Sequence, residues 1–250
     1  MQMLETQKKQ LWQQGSDAVG SIMLGTTQSY WESLSDRKLV IEPTDRGLRC
    51  MDEGTPGGIR LAGSGILLGL DKAGRFARRA TSDGGVDFVS YHRDCGAAGA
   101  YTAEHGGETF DNARQFAEKL AKQLGVEARE VKLERPQGLH IARAVYYDTT
   151  GHFDPSRVAG MPAGFVISAR YHDEADALAE LDMAIGIAMG SHGFGGLFHQ
   201  EHPLLVVSVA ANASQLTQTT ARVGQHLDRL AKPKRSRIKV DGLMVGSSDR

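Results

Sequence analysis

The sequence lacks the features that mark several large classes of protein. Two cysteines in 250 residues are too few for a disulfide framework, so we expect a reducing compartment. No run of about 18 apolar residues occurs, and the N-terminus has no apolar signal-peptide core. The 29 basic and 30 acidic residues nearly cancel, which leaves no electrostatic footprint of nucleic-acid binding. We therefore expect a cytoplasmic protein with no membrane and no nucleic-acid partner.

What the chain does contain is an alternation of strand-like and helix-like segments. Residues 86–92 (VDFVSYH) are rich in β-branched and aromatic side chains, and residues 204–210 (LLVVSVA) form a continuous apolar run, as in a strand buried on both faces. Between them, residues 112–125 carry apolar side chains four apart and end in glycine, which predicts an amphipathic helix. The alternation predicts an α/β fold, with a parallel-rich central sheet flanked by helices on both faces.

The domain organisation is predicted from the absence of internal boundaries. No internal repeat is visible in the sequence, and no linker rich in proline or serine divides it. We predict a single α/β domain at residues 37–231, preceded by a helical arm at residues 1–36 and followed by a tail at residues 232–250. The tail begins with the basic segment KPKRSRIK, which is too short to indicate RNA binding and is better explained as a solvated extension.

A histidine and two cysteines occupy positions typical of a metal site. His92 and Cys95 follow a predicted strand as His-x-x-Cys, and Cys50 ends another strand just before a glycine-rich loop. In an open parallel sheet, the carboxyl ends of the strands lie along one edge, where ligand sites collect. Two thiolates and one imidazole make a tetrahedral zinc site with the fourth position free for water. The pattern predicts Zn2+ bound by Cys50, His92 and Cys95; the alternative is that these side chains only fill the core.

Three short motifs carry a resemblance to a known family. Cys50-Met51-Asp52, Arg60-Leu61-Ala62-Gly63-Ser64 and His92-Arg93-Asp94-Cys95-Gly96-Ala97 together resemble the β-carbonic anhydrases, which show Cys-x-Asp-Ser-Arg, Arg-x-Ala-Gly-Asn and His-x-x-Cys-Gly-Ala in this order. The resemblance implies a parallel-rich α/β fold assembled as a homodimer or larger. It also implies reversible hydration of carbon dioxide to bicarbonate by a zinc-bound hydroxide, with Cys50, His92 and Cys95 as the zinc ligands and Asp52 as the proton acceptor.

The chain departs from that family pattern directly after Asp52. Glu53 and Gly54 stand where the family has serine and arginine, and in the family that arginine pairs with the aspartate and holds it off the zinc. We predict that Arg60 replaces the missing cation by charge-assisted pairing; Arg49 is the alternative. Asp52 and Arg60 are therefore the predicted catalytic residues. Without any such partner, Asp52 would close onto the metal as a fourth ligand and exclude water.

Several classes of function remain open at this point. The chain also resembles limiting-CO2-inducible-B-type proteins and carbon disulfide hydrolase, so carbon disulfide and carbonyl sulfide are alternative substrates. A non-catalytic zinc site closed by Asp52 and a metal-free protein with buried cysteines are the other classes. One of His192, His199 and His202 is a candidate proton shuttle, since histidine titrates near neutrality; a surface or rim position is the simpler explanation for each.

Overall fold

Two four-stranded sheets, in each of which all strands run parallel, form the centre of the fold. The computed structural model describes residues 2–42, 45–80 and 84–246. The first sheet contains β1 (Gly47–Arg49), β2 (Ile59–Arg60), β3 (Phe88–Tyr91) and β4 (Glu127–Glu130), and the second contains β5 (Ala144–Asp148), β6 (Gly164–Ser168), β7 (Leu204–Ala210) and β8 (Ile238–Met244). The predicted α/β class with parallel strands is confirmed, although the strands form two sheets and not one.

Helices connect the strands and cover the sheets. In chain order they are α1 (Gln2–Gln14), α2 (Ser16–Leu24), α3 (Thr27–Ser33), α4 (Gly69–Arg79), α5 (Gly96–His105), α6 (Thr109–Leu124), α7 (Glu174–Ala188), α8 (Ala213–Leu227) and α9 (Lys232–Arg235). The helix predicted at residues 112–125 corresponds to α6. It buries Ala117, Leu120 and Ala121 in one cluster with Val89 of β3, because spacings of three and four place side chains on one helical face.

The two sheets repeat a single arrangement of elements. The strand order is β2-β1-β3-β4 in the first sheet and β6-β5-β7-β8 in the second. In each half, a helix (α4 or α7) follows the second strand, and two helices (α5 and α6, or α8 and α9) follow the third. This structural repeat is not visible in the sequence. The repeat lies in the order of elements and not in the residues: Cys50 and His92 directly follow β1 and β3, whereas Thr149 and Ala211 directly follow β5 and β7.

The two halves meet along β2 and β6. The Arg60 N–H donates a hydrogen bond to the Ser168 hydroxyl oxygen (2.9 Å), and the Val166 N–H donates to the Met51 carbonyl oxygen (3.0 Å). Both bonds reach the stretch of chain around β1 and β2, which carries the first of the predicted metal ligands. The second half thus fixes the backbone on which Cys50 and Asp52 lie.

The N-terminal helices pack on the second half of the same chain. Val19 and Ile22 of α2 and Trp31 of α3 are buried in one cluster with Val207 of β7 and Leu243 of β8. Burial of large apolar side chains is the main favourable term in packing a helix onto a sheet. Helices α2 and α3, which lie in the segment predicted as a helical arm, thus cover one face of the second sheet.

The C-terminal segment is a strand and not a solvated tail. β8 pairs with β7 along its whole length, from Ile238 to Met244, and buries Ile238 and Leu243. The basic residues nearby are used locally: Lys239 Nζ donates to the Ile22 carbonyl oxygen at 3.0 Å. The basic residues gave the segment the composition of a solvated tail, although it pairs as a strand with the edge of β7. The predicted boundary at residue 231 is wrong for this strand, and residues 247–250 lie outside the described residues.

Candidate metal centre

Cys50, His92 and Cys95 come together at the carboxyl ends of the strands of the first sheet. Cys50 follows β1, His92 follows β3, and Cys95 lies directly before α5. All three are buried, and their ligand atoms lie within 4.8 Å of one another. The two sulfur atoms are 4.0 Å apart. Cys50 is more than forty residues from the other two in the chain, and the predicted approach of the three side chains is confirmed. Together they form a group that can bind a metal ion.

The geometry of this group fits a tetrahedral metal ion. Two sulfurs, each about 2.3 Å from one ion at a tetrahedral angle, would lie about 3.8 Å apart, close to the 4.0 Å between Cys50 Sγ and Cys95 Sγ. His92 Nδ1 lies 2.7 Å from the Arg93 carbonyl oxygen, which can only accept, so Nδ1 carries the proton. His92 Nε2 is buried and has no hydrogen-bond partner. Nε2 is therefore the nitrogen that can bind a metal once its proton is displaced, in the arrangement usual for histidine ligands.

The three side chains influence one another's protonation when no ion is bound. Contact with the Cys95 sulfur, together with burial, raises the pKa of Cys50 well above its usual value, and the same contact lowers the pKa of Cys95. Burial opposes the charged form of His92, but the neighbouring Cys50 and Asp52 raise its pKa to about 9. Cys50 and His92 therefore hold protons at neutral pH that a metal ion has to displace.

This protonation predicts that metal binding tightens steeply as the pH rises. A divalent ion requires thiolates and a neutral imidazole, so binding releases the protons of Cys50 and His92. Below the His92 pKa of about 9, release of two protons lowers the apparent dissociation constant by about 100-fold per pH unit. Competition titrations against a zinc-buffering chelator at several pH values measure this slope. A dissociation constant that does not change with pH would contradict the assignment of the ligands.

A tight turn between the two halves supports the Cys50 sulfur. Gly63 has a positive φ of 53°, a conformation that glycine adopts without strain, and its N–H donates to Cys50 Sγ at 3.2 Å. A Cβ atom at Gly63 would lie 2.8 Å from Ile66 Cγ2 and 2.9 Å from Ala97 Cβ, so the packing around the turn leaves no space for a side chain there. Glu180 of α7 fixes the turn, since its carboxylate accepts the Ala62 N–H at 2.9 Å.

The carboxylate of Asp52 is held by an arginine that the sequence analysis missed. Arg135 Nε and Nη2 donate to the two oxygens of Asp52, each at 2.9 Å, which is the bidentate geometry that makes such pairs strong. The Gly54 N–H donates to the same carboxylate at 2.9 Å. Burial would raise the pKa of Asp52, but the hydrogen bonds from Arg135 outweigh it and the pKa is lowered. Asp52 is thus an ionised carboxylate with both oxygens engaged.

The prediction that Arg60 pairs with the Asp52 carboxylate is wrong. Arg60 Nη2 donates to Asp154 Oδ1 at 2.9 Å, and its Nη1 reaches only the backbone carbonyl oxygen of Asp52, at 3.5 Å. The alternative, Arg49, pairs with Asp45. Arg60 lies on β2, beside the second half, so its side chain meets the loop after β5. Arg135 instead reaches Asp52 from the irregular segment after β4, 83 residues along the chain.

A second acidic residue pairs with a histidine beside this carboxylate. Glu53 Oε2 lies 3.1 Å from His140 Nδ1, and Glu53 Oε1 accepts the Ile141 N–H at 2.7 Å. His140 Nδ1 is also 3.7 Å from Asp52 Oδ2. The sequence analysis did not identify His140 or Glu53 as functional residues. The available signal was the adjacency of Glu53 to Asp52 and the presence of Arg135 and His140 within six residues.

A cavity of about 790 Å3 opens beside Cys95. It lies between the start of α5, helix α7 and the segment that carries Arg135 and His140. Apolar side chains from α7, Met183 and Ile187, form part of its wall, and much of the rest is glycine: Gly96, Gly99, Gly138, Gly186 and Gly190. The cavity therefore gives a small molecule access to the metal-binding group along a wall that is mostly without charge.

The three histidines proposed as proton shuttles do not lie together. His192 lines the cavity, and its carbonyl oxygen accepts the His140 N–H at 2.7 Å. His199 and His202 bridge each other through backbone hydrogen bonds of 3.1 and 3.2 Å, and neither lines this cavity. Of the three, only His192 lies at the cavity, as a proton shuttle from this site would have to.

Comparison with protein-family models, with curated proteins and with solved structures found no match to this chain. The family resemblance therefore rests on the three motifs alone. Among the described residues, no helix combines the length and the apolar character that a membrane span requires.

Proposed function

We propose that this protein is a zinc enzyme that catalyses the reversible hydration of carbon dioxide to bicarbonate. One observation carries the proposal: a buried Cys-His-Cys group lies next to an aspartate whose carboxylate is locked by an arginine. Two sulfur ligands and one imidazole favour zinc over harder cations such as magnesium or calcium. When bound, zinc supplies a nucleophile near neutral pH, because it lowers the pKa of a coordinated water molecule towards 7.

Asp52 and Arg135 have separate tasks in this proposal. Asp52 accepts a hydrogen bond from the reacting water and orients it, which requires an ionised carboxylate at neutral pH. Arg135 keeps the carboxylate ionised and holds both of its oxygens. To become a metal ligand, Asp52 would have to break a buried ion pair, which costs about 3–5 kcal/mol. The pairing thus argues against the second candidate, a non-catalytic site closed by Asp52.

The cavity wall suits a neutral substrate. Carbon dioxide has no charge and no hydrogen-bond donor, so an apolar surface binds it without competing strongly with water. Met183 and Ile187 of α7 and the glycines of α5 provide such a surface beside Cys95. Carbon disulfide and carbonyl sulfide share these properties, and they belong to the same substrate class. A homodimer and a cytoplasmic location remain predictions of the motif resemblance and of the cysteine content.

A hydration assay tests the proposal directly. We expect the zinc-loaded protein to accelerate carbon dioxide hydration in stopped-flow measurements across about pH 7 to 9, the range in which zinc-bound water ionises. Protein stripped of metal with a chelator is the matched control, and readdition of zinc should restore the rate. Parallel assays with carbonyl sulfide and carbon disulfide rank the substrates. A zinc-loaded protein that is inert towards all three over this range would contradict the proposal.

A further inference from the structure

We propose that His140, oriented by Glu53, is the residue that carries the reaction proton from the metal centre to solvent. The inference rests on the proposed function, because each hydration of carbon dioxide produces bicarbonate and one proton. That proton has to leave a buried site in every turnover. His140 is 5% exposed and lines the same cavity as Cys95, so it shares with the metal-binding group the space through which a proton can leave.

Glu53 decides which nitrogen of His140 faces the cavity. Its Oε2 lies 3.1 Å from Nδ1, and its other oxygen is fixed by the Ile141 N–H at 2.7 Å. A carboxylate can only accept, so Nδ1 carries the proton and Nε2 presents its lone pair. Nε2 has no protein partner among the described residues, and it lies 3.7 Å from the position of a Cβ atom built on Gly96, on the cavity wall. The structure therefore aims a basic nitrogen at the cavity.

A second metal ion does not explain this arrangement. Asp52, Glu53 and His140 have ligand atoms within 4.8 Å of one another, which formally allows a cation. However, the Arg135 guanidinium already binds both oxygens of Asp52 and lies 3.9 Å from Glu53. A fixed positive charge at that distance repels a further cation. The group is better suited to transferring a proton than to holding an ion.

The proton transfer needs no reactant other than a buffer base. His140 Nε2 accepts the proton through cavity water, while Nδ1–H stays bonded to Glu53, and Nε2 then passes the proton to a base at the cavity mouth. The charged groups that face the imidazole are Asp52 and Glu53 from the loop after β1 and Arg135 from the segment after β4; His192, from the loop after α7, is the neighbouring titratable group. Of these groups, Arg135 is paired with Asp52, and Glu53 keeps its hydrogen bond to Nδ1.

The kinetic test separates the proton step from the carbon dioxide step. In dilute buffer, His140→Ala is expected to lower kcat on the order of 100-fold and to leave kcat/KM unchanged. The reason is that kcat/KM includes only the steps up to the release of bicarbonate, whereas kcat also includes the proton transfer that follows. Added imidazole should restore kcat, since the cavity of about 790 Å3 admits it. His140→Gln keeps most of the side-chain volume but cannot accept the proton. It should lower kcat to the same extent, and it serves as the second variant if the fold needs the volume of the ring. His105→Ala, an exposed histidine on α5, is the matched control.

A spectroscopic measurement tests the orientation of the ring without any activity. Long-range 1H–15N correlation spectra of the protein should show His140 as the Nδ1–H tautomer, and Glu53→Gln should shift the tautomer population. An Nε2–H tautomer in the wild type would overturn the proposal, as would an unchanged kcat in His140→Ala or a loss of kcat without rescue by imidazole. An inert wild type would remove the proposed function and this inference together, whereas an active wild type with an unaffected His140→Ala would remove this inference alone.

Discussion

Replacement of Cys95 by serine is expected to abolish stoichiometric metal binding. A serine hydroxyl is not ionised at neutral pH and is a poor zinc ligand, so only two donors, Cys50 and His92, would remain in the buried group. The wild type, purified without chelator, should contain about one zinc ion per chain, because the chain has one set of three donors. The variant should contain almost none. Metal analysis of both proteins measures the difference.

The controls for this prediction follow from the same geometry. Cys50→Ser should lose the metal as Cys95→Ser does, because the two sulfurs occupy equivalent positions on the ion. His92→Ala should also lose it, whereas His105→Ala, which changes an exposed histidine outside the group, should retain it. Full zinc content in the Cys95 variant would mean that the cysteines only fill the core, which is the metal-free class of function that the sequence left open.

The second large effect distinguishes two buried arginines. Arg135→Ala is expected to lower the hydration rate on the order of 100-fold at full zinc content, because Asp52 loses both of the bonds that orient it. Arg60→Ala should act on stability instead, because it leaves Asp154 buried without its partner. Breaking a buried ion pair in this way costs about 3–5 kcal/mol of unfolding free energy. Stopped-flow assays and denaturant titrations of both variants measure the two effects.

A conservative replacement sharpens this comparison. Arg135→Lys keeps the charge but loses the planar fork, so it should recover only part of the rate if orientation of Asp52 is what matters. Arg93→Ala, on the exposed side of the same strand ends, is the matched control for a lost cation. If Arg60→Ala lowered kcat/KM of the folded, zinc-loaded protein while Arg135→Ala did not, the assignment of the two arginines would be reversed.

The metal-binding residues could be predicted from the sequence, and the partner of Asp52 could not. Cys50 and His92 directly follow strands, and Cys95 lies three residues after His92, at the start of α5; parallel strands bring such positions to one edge whatever the rest of the fold does. Arg135 lies in an irregular segment between β4 and β5, where no periodicity indicates direction. Its approach to Asp52 depends on how that segment wraps around the site, so proximity in sequence favoured Arg60 instead.

The repeat escaped the sequence analysis for a related reason. Order of strands and helices is conserved between the halves, but their strand-end residues serve different purposes. In the first half they form a group that can bind a metal ion; in the second, Asp148 at the end of β5 accepts from the N–H groups of Thr150, Gly151 and Phe153 and closes its own loop. Similar backbones built from unrelated side chains leave no pattern that can be read along one chain.

The two halves of the fold contribute different parts of the site, namely the metal donors and part of the cavity wall. Every metal donor belongs to the first half, whereas Met183 and Ile187, which line the approach to the ion, belong to α7 of the second half. Substitutions at these two positions can therefore change the shape of the cavity wall without removing a metal donor. In the proposed zinc enzyme, selectivity among small linear molecules can thus change over evolutionary time while the metal ligands stay the same.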